Sequence, residues 1–198
     1  MDIWEGLGLA AASIGDRDKA KVCEETLESL LEELSPADSE AWLAYKFAIA
    51  KITSARGHRL KSVNITTEIK ASLLFASLKL DLKAEIAFLE ARTMDKEGMP
   101  EKAYTSYEEA LRMYRECEDE NRYRPELEKI YTALIRLSQV IQDLKEVEKN
   151  KLSAELDKNR DDQGLYAQIQ DLVRSSEEYF SKAANYSVEL AALKNPAV

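Results

Sequence analysis

Apolar residues recur along most of the chain at steps of three and four, the spacing of one face of an α-helix. Short clusters of Gly, Pro, Asp and Ser separate the runs. A first, short apolar helix ends at Gly15, a residue that can take the left-handed conformation that stops a helix. Asp16 is placed to cap the next helix, whose apolar positions are Ala20, Cys23, Leu27, Leu30 and Leu34. Ser35-Pro36-Ala37-Asp38 reads as an N-cap, a first-turn proline and a first-turn carboxylate. It predicts a third helix carrying Trp42, Tyr45, Phe47 and Ile49 and ending near Gly57. The stretch from His58 to Asn64 reads as irregular. A fourth helix is expected to open at Thr66 or Thr67 and to contain Ile69, Leu73, Leu74, Phe75 and Leu78. A fifth runs from near Leu82 to Gly98. A sixth starts at Pro100, with Ala103, Tyr107, Ala110, Leu111 and Tyr114 on one face.

Beyond Pro125 the pattern changes. Leu127, Ile130, Leu134, Leu137, Ile141 and Leu144 alternate steps of three and four, the seam of a coiled coil. Asn159–Gly164 breaks the helix, and a last one repeats the seam with Leu165, Ile169, Leu172, Ser176, Tyr179, Ala183, Tyr186 and Leu190 before Asn195-Pro196. Each of these two helices would be about 45 Å long. Off-seam apolar residues, among them Val147, Tyr166, Val173 and Phe180, make the stripes wider than two helices need. The whole reads as an all-α chain of about eight helices in four pairs, and short connections make consecutive helices antiparallel.

Composition narrows the alternatives. Six Gly and four Pro supply too few turns for an all-β fold, while 33% charged residues suits long amphipathic helices. No apolar run reaches the roughly 18 residues of a membrane span, and the opening Met-Asp-Ile-Trp-Glu-Gly lacks the basic flank of a signal peptide. A cytoplasmic location is expected. The net charge of −9 argues against nucleic acid, and the densest basic cluster, Arg56, His58, Arg59 and Lys61, is short. A single histidine and two cysteines far apart, Cys23 and Cys117, exclude the familiar zinc sites and His-dependent triads. Asp157-x-Asn159-x-Asp161 has the first spacings of a calcium loop, but Asp162 stands where glycine is needed and Gln168 where the bidentate glutamate is needed. The chain holds no phosphate loop or nucleophile elbow. No catalytic residue, metal or cofactor is therefore expected.

The pairs can be compared with one another. The first reads Trp4-x-x-Leu7-Gly8, then Gly15-Asp16, then Ala20. The third carries Ala91, Gly98 and Ala103-x-x-x-Tyr107-x-x-Ala110-Leu111, and Ala91 precedes Gly98 by the same interval as Gly8 precedes Gly15. The second shows Trp42 and Tyr45, then Ala71-x-x-x-Phe75-x-x-Leu78. These residues resemble the tetratricopeptide repeat, Trp-x-x-Leu-Gly-x-x-Tyr, then Ala-x-x-x-Phe, then Pro. Small residues at Gly8, Ala20, Ala91 and Ala103 would let antiparallel helices approach closely. The resemblance departs at Ala11, Glu24 and Glu90, which replace a tyrosine, an aromatic and a leucine. About thirteen residues are extra between the halves of pair two, and the fourth pair lacks the motif.

The resemblance implies a right-handed solenoid of about three pairs over residues 1–121, with residues 122–198 forming a long C-terminal helical hairpin packed on it. It also implies a protein-binding scaffold rather than an enzyme. In that family the concave face is lined by four positions of each first helix. Here they carry over to Asp2, Glu5, Leu9 and Ala12, then Glu40, Leu43, Phe47 and Ala50, then Glu85, Phe88, Arg92 and Asp95. Leu9, Leu43, Phe47, Phe88 and Arg92 form the candidate partner-binding groove, with Arg92 the one cation on an otherwise acidic face. Such a face suits an amphipathic or basic segment of another protein. Ordinary core packing accounts equally for Leu9, Leu43, Phe47 and Phe88. Glu5 and Leu9 stand where the subgroup that clamps a peptide's terminal carboxylate needs polar cations and amides. The alternative is a structural protein that self-associates, as a homodimer, through the C-terminal hairpin.

Overall fold

A computed structural model describes residues 2–34, 40–117, 119–159 and 162–195. Among them are eight α-helices and no strand: α1 Asp2–Ser13, α2 Arg17–Glu32, α3 Glu40–Ala55, α4 Arg59–Ala71, α5 Leu80–Lys96, α6 Pro100–Arg115, α7 Arg124–Leu156 and α8 Gln163–Lys194. Two short 3-10 turns lie at Leu73–Ser77 and Glu120–Tyr123. The chain forms two compact units, Met1–Glu118 and Asp119–Val198. The cap expected at Ser35-Pro36-Ala37-Asp38 lies outside the described residues.

The first unit is three helix pairs, each joined by three residues centred on a glycine. Gly15, Gly57 and Gly98 have φ of +79°, +90° and +73°, a region open to glycine and strained for other residues. The same two hydrogen bonds close each turn. The amide after the glycine donates to the carbonyl five residues back: Asp16 to Ala11 at 2.8 Å, His58 to Thr53 at 3.0 Å and Met99 to Met94 at 3.0 Å. The glycine itself donates to Ala12, Ser54 and Asp95. This is the Schellman end of a helix, three times over. After the first turn the Asp16 carboxylate accepts from the Lys19 amide at 3.1 Å and caps α2, as the sequence predicts.

Because the three turns are alike, they bring equivalent residues together. Seven residues before each glycine stand Gly8, Ala50 and Ala91; five after stand Ala20, Ser62 and Ala103. All six are buried. Small side chains at these sites let the two helices of a pair come close, and the Ser62 hydroxyl donates to the Ala50 carbonyl at 2.8 Å. Successive pairs stack through their first helices, α1 on α3 and α3 on α5. They stack also through the second helix of one pair on the first of the next, α2 on α3 and α4 on α5.

Pair two corrects the sequence reading. His58–Asn64 is not irregular: α4 starts at Arg59 and ends at Ala71, with no insertion between the halves. Two polar residues hide this helix. Ser62 and Thr66 are fully buried, and each satisfies its hydroxyl on a backbone carbonyl, Thr66 on Val63 at 2.9 Å. An apolar stripe written partly in Ser and Thr does not show as an apolar period. The expected run from Ile69 to Leu78 is broken at Ser72, whose backbone is extended and whose hydroxyl accepts no helical role but donates to the Ile69 carbonyl.

In the second unit α7 starts with Pro125 in its first turn, and the Asp162 carboxylate caps α8 through the amides of Gly164 and Leu165. The α7 seam is buried from Leu127 to Ile141, after which Leu144 is exposed. The α8 seam residues, Leu165 to Leu190, are half-buried. Tyr131 and Tyr186 pack with tilted rings, their centres 6.0 Å apart, and Arg124 donates to the Lys194 carbonyl at 3.3 Å.

Gly8 tests the close approach. A Cβ there would lie 2.6 Å from the Ile52 Cδ1 and 3.1 Å from the Cys23 Cβ. Gly8→Leu is expected to destabilise the chain by about 1–3 kcal/mol. Urea denaturation monitored by circular dichroism reads this, and an unchanged midpoint would show the contact to be loose.

Candidate interaction surface

Ion pairs link the middle pair to both of its neighbours. Pair two, residues 40–71, carries Lys46, Lys51, Arg56, Arg59, Lys61 and Lys70 against only Glu40 and Glu68. Its cations reach carboxylates on both neighbours. Toward pair one, Arg56 and Lys61 bind Glu24, and Lys61 also binds Glu28 at 2.7 Å. Toward pair three, Lys70 binds Glu90 at 2.9 Å and Glu109 at 2.6 Å, and Arg59 meets Glu97 at 3.3 Å. In these ion pairs the base always belongs to the middle pair.

Glu24 and Glu90 are the buried members, 2% and 5% exposed. They occupy two of the positions where the sequence departs from the repeat it resembles, and their partners explain the departure. Burial opposes the ionisation of Glu24, but hydrogen bonds from Lys61 and Arg56, followed by their charges, outweigh it, and its pKa falls below the usual 4.5. Burial likewise opposes the charge of Lys70, and its hydrogen bonds to Glu109 and Glu90 outweigh it, so its pKa rises above 10.5. The Ser106 hydroxyl adds a hydrogen bond to Glu90 at 3.2 Å.

The face formed by the first helices, α1, α3 and α5, follows from the turns. Counting from Gly15, Gly57 and Gly98, the residues equivalent to Leu9 are Lys51 and Arg92, and those equivalent to Glu5 are Phe47 and Phe88. The carried-over positions in pair two, Glu40, Leu43, Phe47 and Ala50, were therefore one helical turn early. The match of Trp42 to Trp4 is the cause, since the turns make Lys46 the equivalent of Trp4, and Lys51 is the residue it concealed.

The face repeats a motif. Lys51 Nζ stands 4.2 Å from the Phe47 ring centre, and the Arg92 guanidinium 5.6 Å from that of Phe88. Phe88 packs in turn against Tyr107, with ring centres 6.0 Å apart. Lys51 is held from both sides, by Glu5 of α1 at 2.9 Å and by Glu85 of α5 at 3.9 Å. Arg92 is exposed and forms no ion pair among the described residues. Leu43, Phe47 and Phe88 are buried at 2%, 5% and 9% exposure. Leu9 is half-buried against the same cluster as Leu43 and Phe47. Packing thus accounts for Leu43, Phe47 and Phe88; of the expected groove Leu9 and Arg92 reach solvent, together with the half-buried Lys51, which was not expected there.

The hairpin presents a different surface. Val147, Tyr166, Phe180 and Val188 are exposed by more than half. A shallow cavity of about 290 Å³ lies between α7 and α8 beside Leu172, Val173, Phe180, Lys145 and Lys149. Among the described residues no group of His, Cys, Asp and Glu is arranged to hold a metal ion; the calcium-like fragment includes Asp161, which lies outside them. Among those residues also, no helix is long and apolar enough to cross a membrane. No protein-family model, no curated protein and no solved structure matches this chain.

Two outcomes follow from the buried ions. Lys70→Met should destabilise by about 3 kcal/mol, because it leaves Glu90 charged and buried. Adding Glu90→Leu should recover most of that loss, and a double-mutant cycle by chemical denaturation measures the recovery. The pH limits have opposite signs. The stability that Glu24 contributes is full above pH 4.5 and drains as pH falls through its lowered pKa. That of Lys70 is full below pH 10.5 and drains as pH rises through its raised pKa. Melting curves across pH should show the gap between the native chain and Glu24→Gln closing on the acid side.

Proposed function

We propose that this chain is a protein-interaction adaptor built from three tetratricopeptide-like helix pairs and a helical hairpin, and that it receives a segment of another protein along α1, α3 and α5. The tetratricopeptide likeness is supported by the threefold recurrence of a small residue, a glycine turn and a second small residue at fixed spacings. The glycine turns stand 42 and 41 residues apart, against a period of about 34 in that family.

The observation that carries the functional reading is Arg92. It is exposed, free of ion pairs among the described residues, and set 5.6 Å from the centre of the Phe88 ring. Structural arginines are normally paired, and Lys51, at the equivalent place, is paired twice. Lys51 binds Glu5 and Glu85 and offsets part of the acidic charge expected of this face. The segment that suits it is amphipathic: a carboxylate for Arg92, with apolar side chains toward Leu9.

Peptides selected from a random display library against the intact chain should contain an acidic residue among apolar ones. Arg92→Glu should weaken their binding at least about tenfold, the loss of one charge-assisted hydrogen bond, with circular dichroism unchanged. Selected peptides that bind Arg92→Glu as tightly would refute the placement.

The second reading, a structural protein that self-associates through its hairpin, is favoured by the exposed Val147, Tyr166 and Phe180. Peptide binding at α1, α3 and α5 does not require it.

A further inference from the structure

Helix α1 has a second face, turned away from the one that would receive a peptide. Ile3 and Leu7 on it, and Ile14 in the turn just beyond the helix, are exposed at 74%, 53% and 78%, and Ala10 lies exposed among them. The later pairs show what these positions are for. The residues equivalent to Ile3 are Tyr45 and Ile86. Those equivalent to Leu7 are Ile49 and Glu90, and those equivalent to Ile14 are Arg56 and Glu97. In pair two Tyr45 and Ile49 pack in a cluster with Cys23 and Leu27 of α2, and Arg56 binds Glu24 of α2. In pair three Ile86 joins a cluster with Ile65 and Ile69 of α4, Glu90 binds Lys70 of α4, and Glu97 binds Arg59 of α4. All three positions are therefore docking positions for a helix.

In pair one the same positions are all apolar, so the helix that covers them must bring no charge to them. The stripe of α1 is itself such a helix. From Ile3 to Ile14 the only charged residue is Glu5, which is turned to Lys51. The steps from Ile3 to Leu7, Ala10 and Ile14 are four, three and four, a pattern that reads the same in reverse. Two antiparallel copies of α1 would set each Ile3 against the Ile14 of the other, and each Leu7 against the small Ala10. Gly6 adds an independent sign. A Cβ at Gly6 would meet nothing within 4 Å in its own chain, yet glycine inside a helix costs about 1 kcal/mol relative to alanine. A glycine without an intrachain reason, one turn from Ala10, fits the close approach of a second backbone.

We infer that the exposed stripe Ile3, Leu7, Ala10 and Ile14 is the interface of a two-fold homodimer in which α1 packs antiparallel on the α1 of a second copy. A symmetric contact of this kind uses one patch twice. It leaves α3 and α5 and the cation face free, so it stands or falls independently of peptide binding. A stripe this narrow is at the low end of interface sizes, so dimerisation is expected at roughly ten to a hundred micromolar.

The test is sedimentation equilibrium of the intact chain over that range, with circular dichroism as the control for folding. The native chain should dimerise, and Leu7→Lys should weaken the dimer at least about tenfold. Ile3→Glu and Ile14→Lys should each be monomeric alone and should form a heterodimer when mixed, because antiparallel packing sets position 3 against position 14. A native chain that stays monomeric throughout the range would overturn the inference. So would a dimer that survives Leu7→Lys, which places self-association elsewhere, or a mixture of the two charged variants that fails to pair.

Discussion

The left-handed backbone at Gly15, Gly57 and Gly98 is the constraint on which the first unit rests. A helix that ends in this conformation, with the amide beyond the glycine returned to a carbonyl five residues back, sends the chain into the next helix in one defined direction. Three such turns of the same shape bring the same relative positions into contact in every pair. Small residues at those positions then permit close packing, and large ones are left for the joints between pairs. The cation–aromatic motif on α3 and again on α5 is a consequence, since it recurs only because the register does.

Joints between pairs are held partly by charge, with Glu24 and Glu90 taken almost wholly out of water. Two opposing effects meet there. Desolvation penalises each buried carboxylate, and multiple hydrogen bonds from cations on pair two offset the penalty. The net stabilisation is smaller than a count of ion pairs implies, but the selectivity is large, because any neighbour without the matching cation leaves a buried charge unanswered.

Much of this was legible from residues alone. Gly15-Asp16 and Gly98 followed by Pro100 announced their turns, since a stop, a cap and a first-turn proline each have a local cause. The seams of α7 and α8 were visible because Leu and Ile fill them. Helix α4 was not, because Ser62 and Thr66 fill its buried face and local hydrogen bonds make them acceptable there. A separate misreading, Trp42 matched to Trp4 where the turns make Lys46 its equivalent, moved the register of α3 by a turn and hid Lys51, placing buried Leu43 on the candidate surface. The interval from Gly15 to Gly57, nearly that from Gly57 to Gly98, was the available signal. The roles of Glu24 and Glu90 were beyond reach, since Lys61 and Lys70, which justify them, lie in another pair and far along the chain.

The alternation of acid, base and acid has an evolutionary reading. Solenoids commonly lengthen by copying a repeat, which works when every joint is alike. Here a second copy of pair two placed after the first would set Arg59 against Arg56, and deletion of pair two would turn Glu24 toward Glu97. Neither product could close its joint without further substitution. Each of the two joints thus has its own complement of charges, and a copied pair would need new ones.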